Sequence, residues 1–597
     1  MTLNNSTCRS AAKTMSPEVK SAAPSRRLLL LPAGFAALLA AYAALPSVRE
    51  NPRLLWSFWG PAAVLLAWAA ALFASARGRS LRAHFVLRRP HWLQPLVQGS
   101  IYLYWGWHWR EVYQSAHLIA AQILFAYAFD MLLAFSRGQD DYELGFGPFP
   151  IILSINLFLW FKPDWFWWQF VMVAVGFGAK QLLRWNKDGR PSHIFNPSSF
   201  PLAIASIVLI ATGTADHTWG KDIAVTLGNP LHIFEFIFLV SIPGQILFGV
   251  AAMTMPAVVT AFLLSAVYYG ITGSYFFFGT IPTAAFLGML LLFTDPATAP
   301  KSELGRVIYG VLYGTSVFIL YGVLDLFGQL TFYDKLLFVP ILNLSVQAID
   351  RLAASPRLAR LDPTAYLKQL AGRPRNLAWT ATWTGAFVLL LAFHGVGDTH
   401  PANRLPFWQK ACDEGRRNGC RNLFTMETTY CEHGSGWSCN EVGLNAPLMS
   451  SEPAARAALQ KYSFDRSCKL GFEPGCRNAR VAESGVGELR HRPPRPEDYD
   501  LVLETRGLPA ERTTLQLWQW ACEQGWHEGC DAVEAVTSGG PRRRSPEEIR
   551  GACAGGDQNA CRALGLMYRQ GNGVARDDRR AMACELGIRD ACAGALR

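Results

Sequence analysis

Three short blocks bring together residue types able to hold a charged ligand. His193-Ile194-Phe195-Asn196-Pro197-Ser198-Ser199 precedes one apolar segment, Asn229-Pro230 precedes another, and Thr294-Asp295-Pro296-Ala297-Thr298-Ala299-Pro300 follows a third. An Asx residue before Pro marks a helix start, because its side chain caps free N–H groups while Pro takes the first helical position. Capping at membrane boundaries accounts for the blocks by itself. A sharper reading sets several helix N-termini around one cavity, where unpaired N–H groups suit an anionic group such as a phosphate. Ionisable residues in or near the apolar segments are Asp130, Lys180, Glu235, Asp295 and Asp325. Charge at bilayer depth is costly and marks pathways. Lys180 and Asp325 lie near segment ends and read as snorkelling or capping, while Asp130 and Glu235 are candidates for an ion or proton relay. The chain has no P-loop, nucleophile elbow or HExxH motif.

The cysteines carry a second chemistry. Twelve of the 13 form six pairs of one spacing, C-x7-C. They are Cys412 with Cys420, Cys431 with Cys439, Cys468 with Cys476, Cys522 with Cys530, Cys553 with Cys561, and Cys584 with Cys592. Each has Gly three residues after the first Cys: Gly415, Gly434, Gly471, Gly525, Gly556 and Gly587. Eight steps of one continuous helix rise about 12 Å, whereas a disulfide tolerates roughly 7 Å between Cα atoms at most. The helix must therefore break within each pair, and the Gly supplies a left-handed stop. The expectation is helix–turn–helix with the turn stapled. Zinc ligands favour closer spacing, and a site would have to combine pairs far apart, so no metal is expected. Stable disulfides belong to oxidising compartments.

The elements that must position these residues are of two kinds. The chain is 51% hydrophobic and 17% charged, with mean hydropathy +0.14, which excludes an ordinary soluble enzyme and a disordered chain. Residues 1–396 hold 29 Lys/Arg against 18 Asp/Glu, and residues 397–597 hold 27 against 27. The formal charge of +11 thus belongs to the apolar part. Residues 1–25 read as a disordered tail. Leu28–Val48 and Leu55–Ala76 read as a helical hairpin, and the alternative for the first run is a signal peptide. Further apolar segments lie near 93–108, 117–136, 148–161, 164–182, 200–213, 231–252, 254–272, 276–293, 306–326, 334–349 and 377–396. A span needs about 20 residues, so 148–161 and 200–213 read as half-helices, and the total is about 10 to 13 segments. With the N-terminus inside, the Arg-rich loops at Arg77–Arg89, Arg184–Arg190, Lys301–Arg306 and Arg351–Arg375 all fall on the cytoplasmic side. Topology therefore explains the basic excess without nucleic acid. The segment 377–396 then exits, placing residues 397–597 in the periplasm.

The repeated C-x-x-G-x-x-x-[GAS]-C motif, with Leu564–Val574 and Arg579–Cys584, resembles Sel-one-like repeats, relatives of the tetratricopeptide hairpin. That resemblance implies a helical solenoid binding other membrane or periplasmic proteins; the alternative is a merely structural cap. Arg490–Asp500 reads as an insertion or linker between repeats. Within Trp105–Asp350 stand four blocks: His193–Ser198, Thr294–Pro300, Gly305-Arg306 with Tyr309-Gly310, and Asn343–Asp350. Their order resembles that in the D-type membrane component of the Rnf electron-transport complex and in the B-type component of the sodium-pumping NADH:quinone reductase. The pattern is similar above all to the UnbU-like branch of that family. The resemblance implies a polytopic protein that holds flavin and passes electrons, with His193, Asn196, Pro197, Ser198, Thr294, Asp295 and Thr298 as the cofactor-binding residues. The [ST]-G-A-T attachment motif is absent between Phe200 and Phe293, so FMN or riboflavin would be held non-covalently.

The expectation is an all-α protein of the bacterial inner membrane. Residues 26–396 form its polytopic domain in the lipid bilayer, with the Rnf-like core near 105–350, and residues 397–597 form a disulfide-stapled αα-hairpin solenoid. Two other functions fit the same residues: a non-redox scaffold recruiting an exported partner through its repeats, and an ion or small-molecule transporter.

Overall fold

The computed structural model describes residues 26–489 apart from 77–78, 188, 229, 278–280, 366–369, 399, 404, 417, 433–434 and 450–451. It also describes isolated positions between 515 and 537, and residues 545–592 apart from 556–557, 571–573 and 586–591. The tail 1–25, Asn229 and the insertion Arg490–Asp500 lie outside the described residues.

The chain is largely helical. Apolar runs become helices because, without water at depth, each backbone N–H and C=O must bond within its own segment. Six described helical stretches are long and apolar enough to cross a membrane: Arg27–Ala44, Pro52–Ser75, Ala116–Ser136, Ala251–Thr272, Glu303–Leu326 and Thr331–Ala353. Four apolar helices are shorter: Pro148–Phe158, Ser199–Thr212, Ile233–Phe248 and Thr283–Leu292. Helices Arg89–His108, Trp167–Leu182 and Arg373–Ala392 complete the body. Two apolar segments differ from expectation. Among the described residues of 276–293, only Thr283–Leu287 is α-helical, and it runs into a π-turn at Gly288–Leu292. The segment 334–349 is divided between Asp334–Leu337 and Val339–Ala353.

The packing is that of a membrane protein. Trp56, Leu103, Trp107, Ile271 and Leu326 are each more than 65% exposed, an apolar surface suited to lipid. Helix Glu303–Leu326 lies directly on the backbone of Ala251–Thr272: a Cβ at Gly310 would overlap the Met253 carbonyl, and one at Gly314 the Ala257 carbonyl. Small residues four apart permit that approach. Buried amides join three further helices. Asn156 Nδ2 donates to Gln122 Oε1 at 2.7 Å, and Gln169 Nε2 donates to the same oxygen at 3.1 Å.

The chain divides into two compact units, residues 1–403 with 411–422 and residues 404–410 with 423–597. All six C-x7-C pairs are disulfides, with Cα atoms 4.3–4.7 Å apart. The helix does break within the two pairs whose glycine is described: Gly415 and Gly471 take φ of 66° and 79°, a region open to Gly at little cost. Gly434, Gly525, Gly556 and Gly587 lie outside the described residues.

The staples tie consecutive helices. Cys412 near the end of Leu405–Asp413 ties to Cys420 in the first turn of Gly419–Glu432. Cys468 on Pro453–Lys469 ties in the same way to Cys476 on Glu473–Ser484. The bond between Cys412 and Cys420 falls within the first compact unit, and the others fall within the second. Cys522 and Cys530 are both helical, with Cα atoms 4.6 Å apart. The expected break between them lies outside the described residues, which omit 523–529. Cys420 and Cys530 are also half-buried, unlike the fully buried Cys439, Cys561 and Cys592 that close three other staples.

Candidate functional site

Helix Trp167–Leu182 runs into an antiparallel hairpin, Arg184–Lys187 with Arg190–His193, which sets Arg184 opposite His193. The hairpin delivers the block His193–Ser199 to the start of helix Ser199–Thr212. Asn196 caps that helix, its Oδ1 accepting from Ser198 N at 2.9 Å and Ser199 N at 3.0 Å. Its Nδ2 donates to Leu292 O at 2.9 Å, at the end of the π-turn. A Cβ at Gly176 would press on the carbonyl of Pro197, so this glycine lets the block sit against helix Trp167–Leu182.

The Thr294–Pro300 block closes a turn and does not start a helix. Asp295 Oδ1 accepts from Ala297 N at 2.9 Å, and Asp295 O accepts from Thr298 N at 3.1 Å. Thr298 is fully buried and Thr294 Oγ1 donates to Leu290 O. Lys187 Nζ clamps the turn from outside by donating to Ala299 O at 2.8 Å. His193 Nε2 lies 3.0 Å from Asp295 Oδ2, joining the first block to the second. Asn343 joins the third: its Oδ1 accepts from Asn196 N at 3.0 Å, and its Nδ2 donates to Tyr309 Oη at 2.9 Å. Blocks far apart in sequence thus meet in one place.

Beside them is a cavity of about 560 Å³. The starts of three helices line it, through His91 of Arg89–His108, Pro150 of Pro148–Phe158, and Asn196 to Ser198 ahead of Ser199–Thr212. Thr294, Asp295, Lys180 and Arg88 also line it. Arg88 bonds to Glu143, and Asp295, the one acid among the described lining residues, bonds to His193. Lys180 makes no ion pair within 4.0 Å among the described residues, although its charge acts on Asp295, and it faces the Phe177 ring at 5.4 Å. His91 sits in the field of Lys180 and Arg88. Helix starts carry partial positive charge, so lining and bases together make the cavity electropositive. Lys180 had read as an end residue, and His91 carried no signal at all. A lysine within an apolar run was the available clue.

The relay candidates lie apart from this cavity. Asp130 is buried, with Oδ1 accepting from Gln181 Nε2 at 2.6 Å and Oδ2 from Tyr142 Oη at 2.8 Å. Glu235 Oε1 lies 3.5 Å from His232 Nδ1, while its buried Oε2 has no hydrogen-bond partner among the described residues.

The cofactor expectations need correction. Sequence spacing argued against metal because the pairs are far apart, yet Sγ atoms of Cys553, Cys561 and Cys592 lie within 4.8 Å of one another. Folding brings two staples together, so three sulfurs stand at a spacing compatible with a soft metal once they are thiolates. Here they are engaged in the Cys553–Cys561 and Cys584–Cys592 bonds. The flavin expectation is withdrawn as well. The N–H groups ahead of Ser199–Thr212 that were to take its phosphate are bonded to Asn196, and Thr298 Oγ1 donates to Asp295 O.

No protein-family profile matches the chain, and no solved structure matches it. A stretch of 290 residues is 27% identical to a protein of Mycolicibacterium paratuberculosis (strain ATCC BAA-968 / K-10), provisionally named an S-adenosyl-L-methionine-dependent methyltransferase. The match covers 40% of this chain and 53% of that protein, so the chain spans about half of its relative's length. That identity and coverage assign no family. Strands among the described residues form two two-stranded ladders, not the open parallel sheet on which nucleotide-type cofactors are held.

Proposed function

We propose that the polytopic body is a membrane carrier for a small anionic solute, a carboxylate or phosphate, taken up in the cavity beside Lys180. The observation that carries this reading is the convergence of the starts of Arg89–His108 and Pro148–Phe158, neither capped by a side chain, with Lys180 and His91 around a space whose one acid among the described residues is held by His193. A charge-assisted hydrogen bond to the ligand is worth about 1.5–3 kcal/mol, or roughly 10- to 100-fold in affinity. Calorimetry on the protein in detergent, with inorganic phosphate, sulfate and citrate as probes, tests it. Lys180→Gln weakens binding by at least about tenfold, and Lys180→Arg retains most of it. Absence of binding for all three probes, or equal binding to the Gln variant, overturns the reading.

A second reading concerns assembly. The meeting of His193, Asp295, Asn196 and Asn343 supports descent of this body from the line of the Rnf and sodium-pumping reductase membrane components, in a form serving as a membrane platform. The disulfides support an extracytoplasmic location for the C-terminal helices, and the basic loops support a cytoplasmic N-terminus in a bacterial inner membrane. Those helices would then serve as repeats recruiting an exported partner. Protease treatment of spheroplasts tests the topology: digestion from outside removes the C-terminal unit and leaves the membrane body.

A further inference from the structure

Two of the six staples touch. Cys553 Sγ lies 3.4 Å from Cys592 Sγ, although the residues are 39 apart and belong to different disulfides, Cys553–Cys561 and Cys584–Cys592. Cys561 Sγ also lies within 4.8 Å of Cys592 Sγ, but Cys553 makes the direct contact. The contact is built in. All four cysteines are at most 4% exposed and share a small core with Leu564, Tyr568 and Ala581. Gly565 makes room for it, since a Cβ there would lie 2.9 Å from Cys584 Cβ.

We propose that these two disulfides form one thiol–disulfide exchange site, in which Cys592 as a thiolate attacks Cys553. An incoming thiol, from a small thiol or a protein dithiol, breaks the Cys584–Cys592 bond by attacking Cys584 Sγ. A mixed disulfide forms at Cys584, and Cys592 leaves as thiolate. Cys592 Sγ then bonds to Cys553 Sγ while the Cys553–Cys561 bond breaks, and its electron pair leaves on Cys561 Sγ. The second step consumes one thiolate and one disulfide and yields one of each, with no net oxidant or reductant. Exchange proceeds by attack of a thiolate on a disulfide sulfur, and here the sulfurs are already at van der Waals separation. The product link, Cys553–Cys592, joins two hairpins that were stapled separately.

The test uses the full chain in detergent. Cys584→Ser leaves Cys592 as a thiol with no external thiol needed. After incubation at about pH 8, where an ordinary thiol is partly ionised, the free thiols are alkylated and the disulfides mapped by peptide mass spectrometry. Exchange gives a Cys553–Cys592 peptide and alkylated Cys561 in equal amounts. Alkylation at Cys592 as the one site besides the unpaired Cys8, with Cys553–Cys561 intact, overturns the proposal. Cys439→Ser, which frees Cys431, keeps alkylation at Cys431 and the unpaired Cys8 alone; scrambling there too would mean non-specific reshuffling and would also overturn it. The double variant, Cys561→Ser with Cys584→Ser, guards against misfolding of the first. Diamide closes Cys553–Cys592 directly in it, and Cys553 and Cys592 both still alkylated after diamide count against the site.

Discussion

Asn196 and Asn343, 147 residues apart, are joined by a 3.0 Å hydrogen bond from the Asn196 backbone N to the Asn343 side-chain oxygen. Asn343 is fully buried and also serves Tyr309 and the Thr298 carbonyl. One side chain therefore ties three separate blocks of sequence together beside the cavity that Asn196 lines.

Removing that tie strands buried polar groups. Asn343→Leu leaves the Asn196 N–H without its acceptor, at a cost of about 1–3 kcal/mol. Thermal unfolding in detergent should show a lower Tm, with loss of anion binding as the wall loosens. An unchanged Tm would mean that water or a shifted neighbour replaces the amide.

The His193–Asp295 pair sets an acid limit on stability. Burial pushes the Asp295 carboxyl up, but the hydrogen bond and charge of His193, with the Ala297 N–H, outweigh it and hold the carboxyl below its ordinary value of 3.8. A group depressed in the folded state adds stability above its unfolded pKa and loses it as pH falls through the folded one. His193→Ala raises the Asp295 pKa, so acid destabilisation begins at a higher pH. Unfolding series between about pH 3 and 7 measure this; coincident acid limbs would show that the pair contributes nothing.

Glycine contacts make a steric prediction. Gly310→Ala and Gly314→Ala drive a methyl into the Met253 and Ala257 carbonyls and cost about 1–3 kcal/mol each through forced helix separation. Gly60→Ala and Gly99→Ala, whose Cβ meets nothing within 4 Å, serve as matched helix controls. Folded yield by size-exclusion chromatography should drop for the first two alone.

The Asp334–Lys335 pair predicts a non-additive cycle. Lys335 Nζ lies 3.2 Å from Asp334 Oδ1, and both side chains are 1% exposed. Lys335→Met strands the carboxylate and costs about 3–5 kcal/mol, whereas Asp334→Leu with Lys335→Met removes both charges and costs less. Denaturant unfolding of the four proteins closes the cycle; additive losses would show the charges are not coupled.

Much of the architecture was legible along the chain. Helix period, the length of apolar runs, the split of basic residues and the C-x7-C spacing are local properties, and each fixes a local geometry: a span, a half-helix, a stapled turn. They determined a polytopic body followed by a disulfide-stapled helical region. Asn196 as a cap was equally local, because the residue lies within three positions of the N–H groups it satisfies.

Tertiary structure alone decided which of these local pieces meet. Asn343 reaches Asn196, Lys180 turns toward a cavity and not toward an interface, and Cys553 touches Cys592. None of these follows from period or spacing, since each depends on how helices distant in sequence pack and on which small residues let them approach. The same reason separates the two kinds of cysteine contact: eight residues and a left-handed glycine close a staple, but only the packing of two hairpins on a shared core brings two staples within reach of each other.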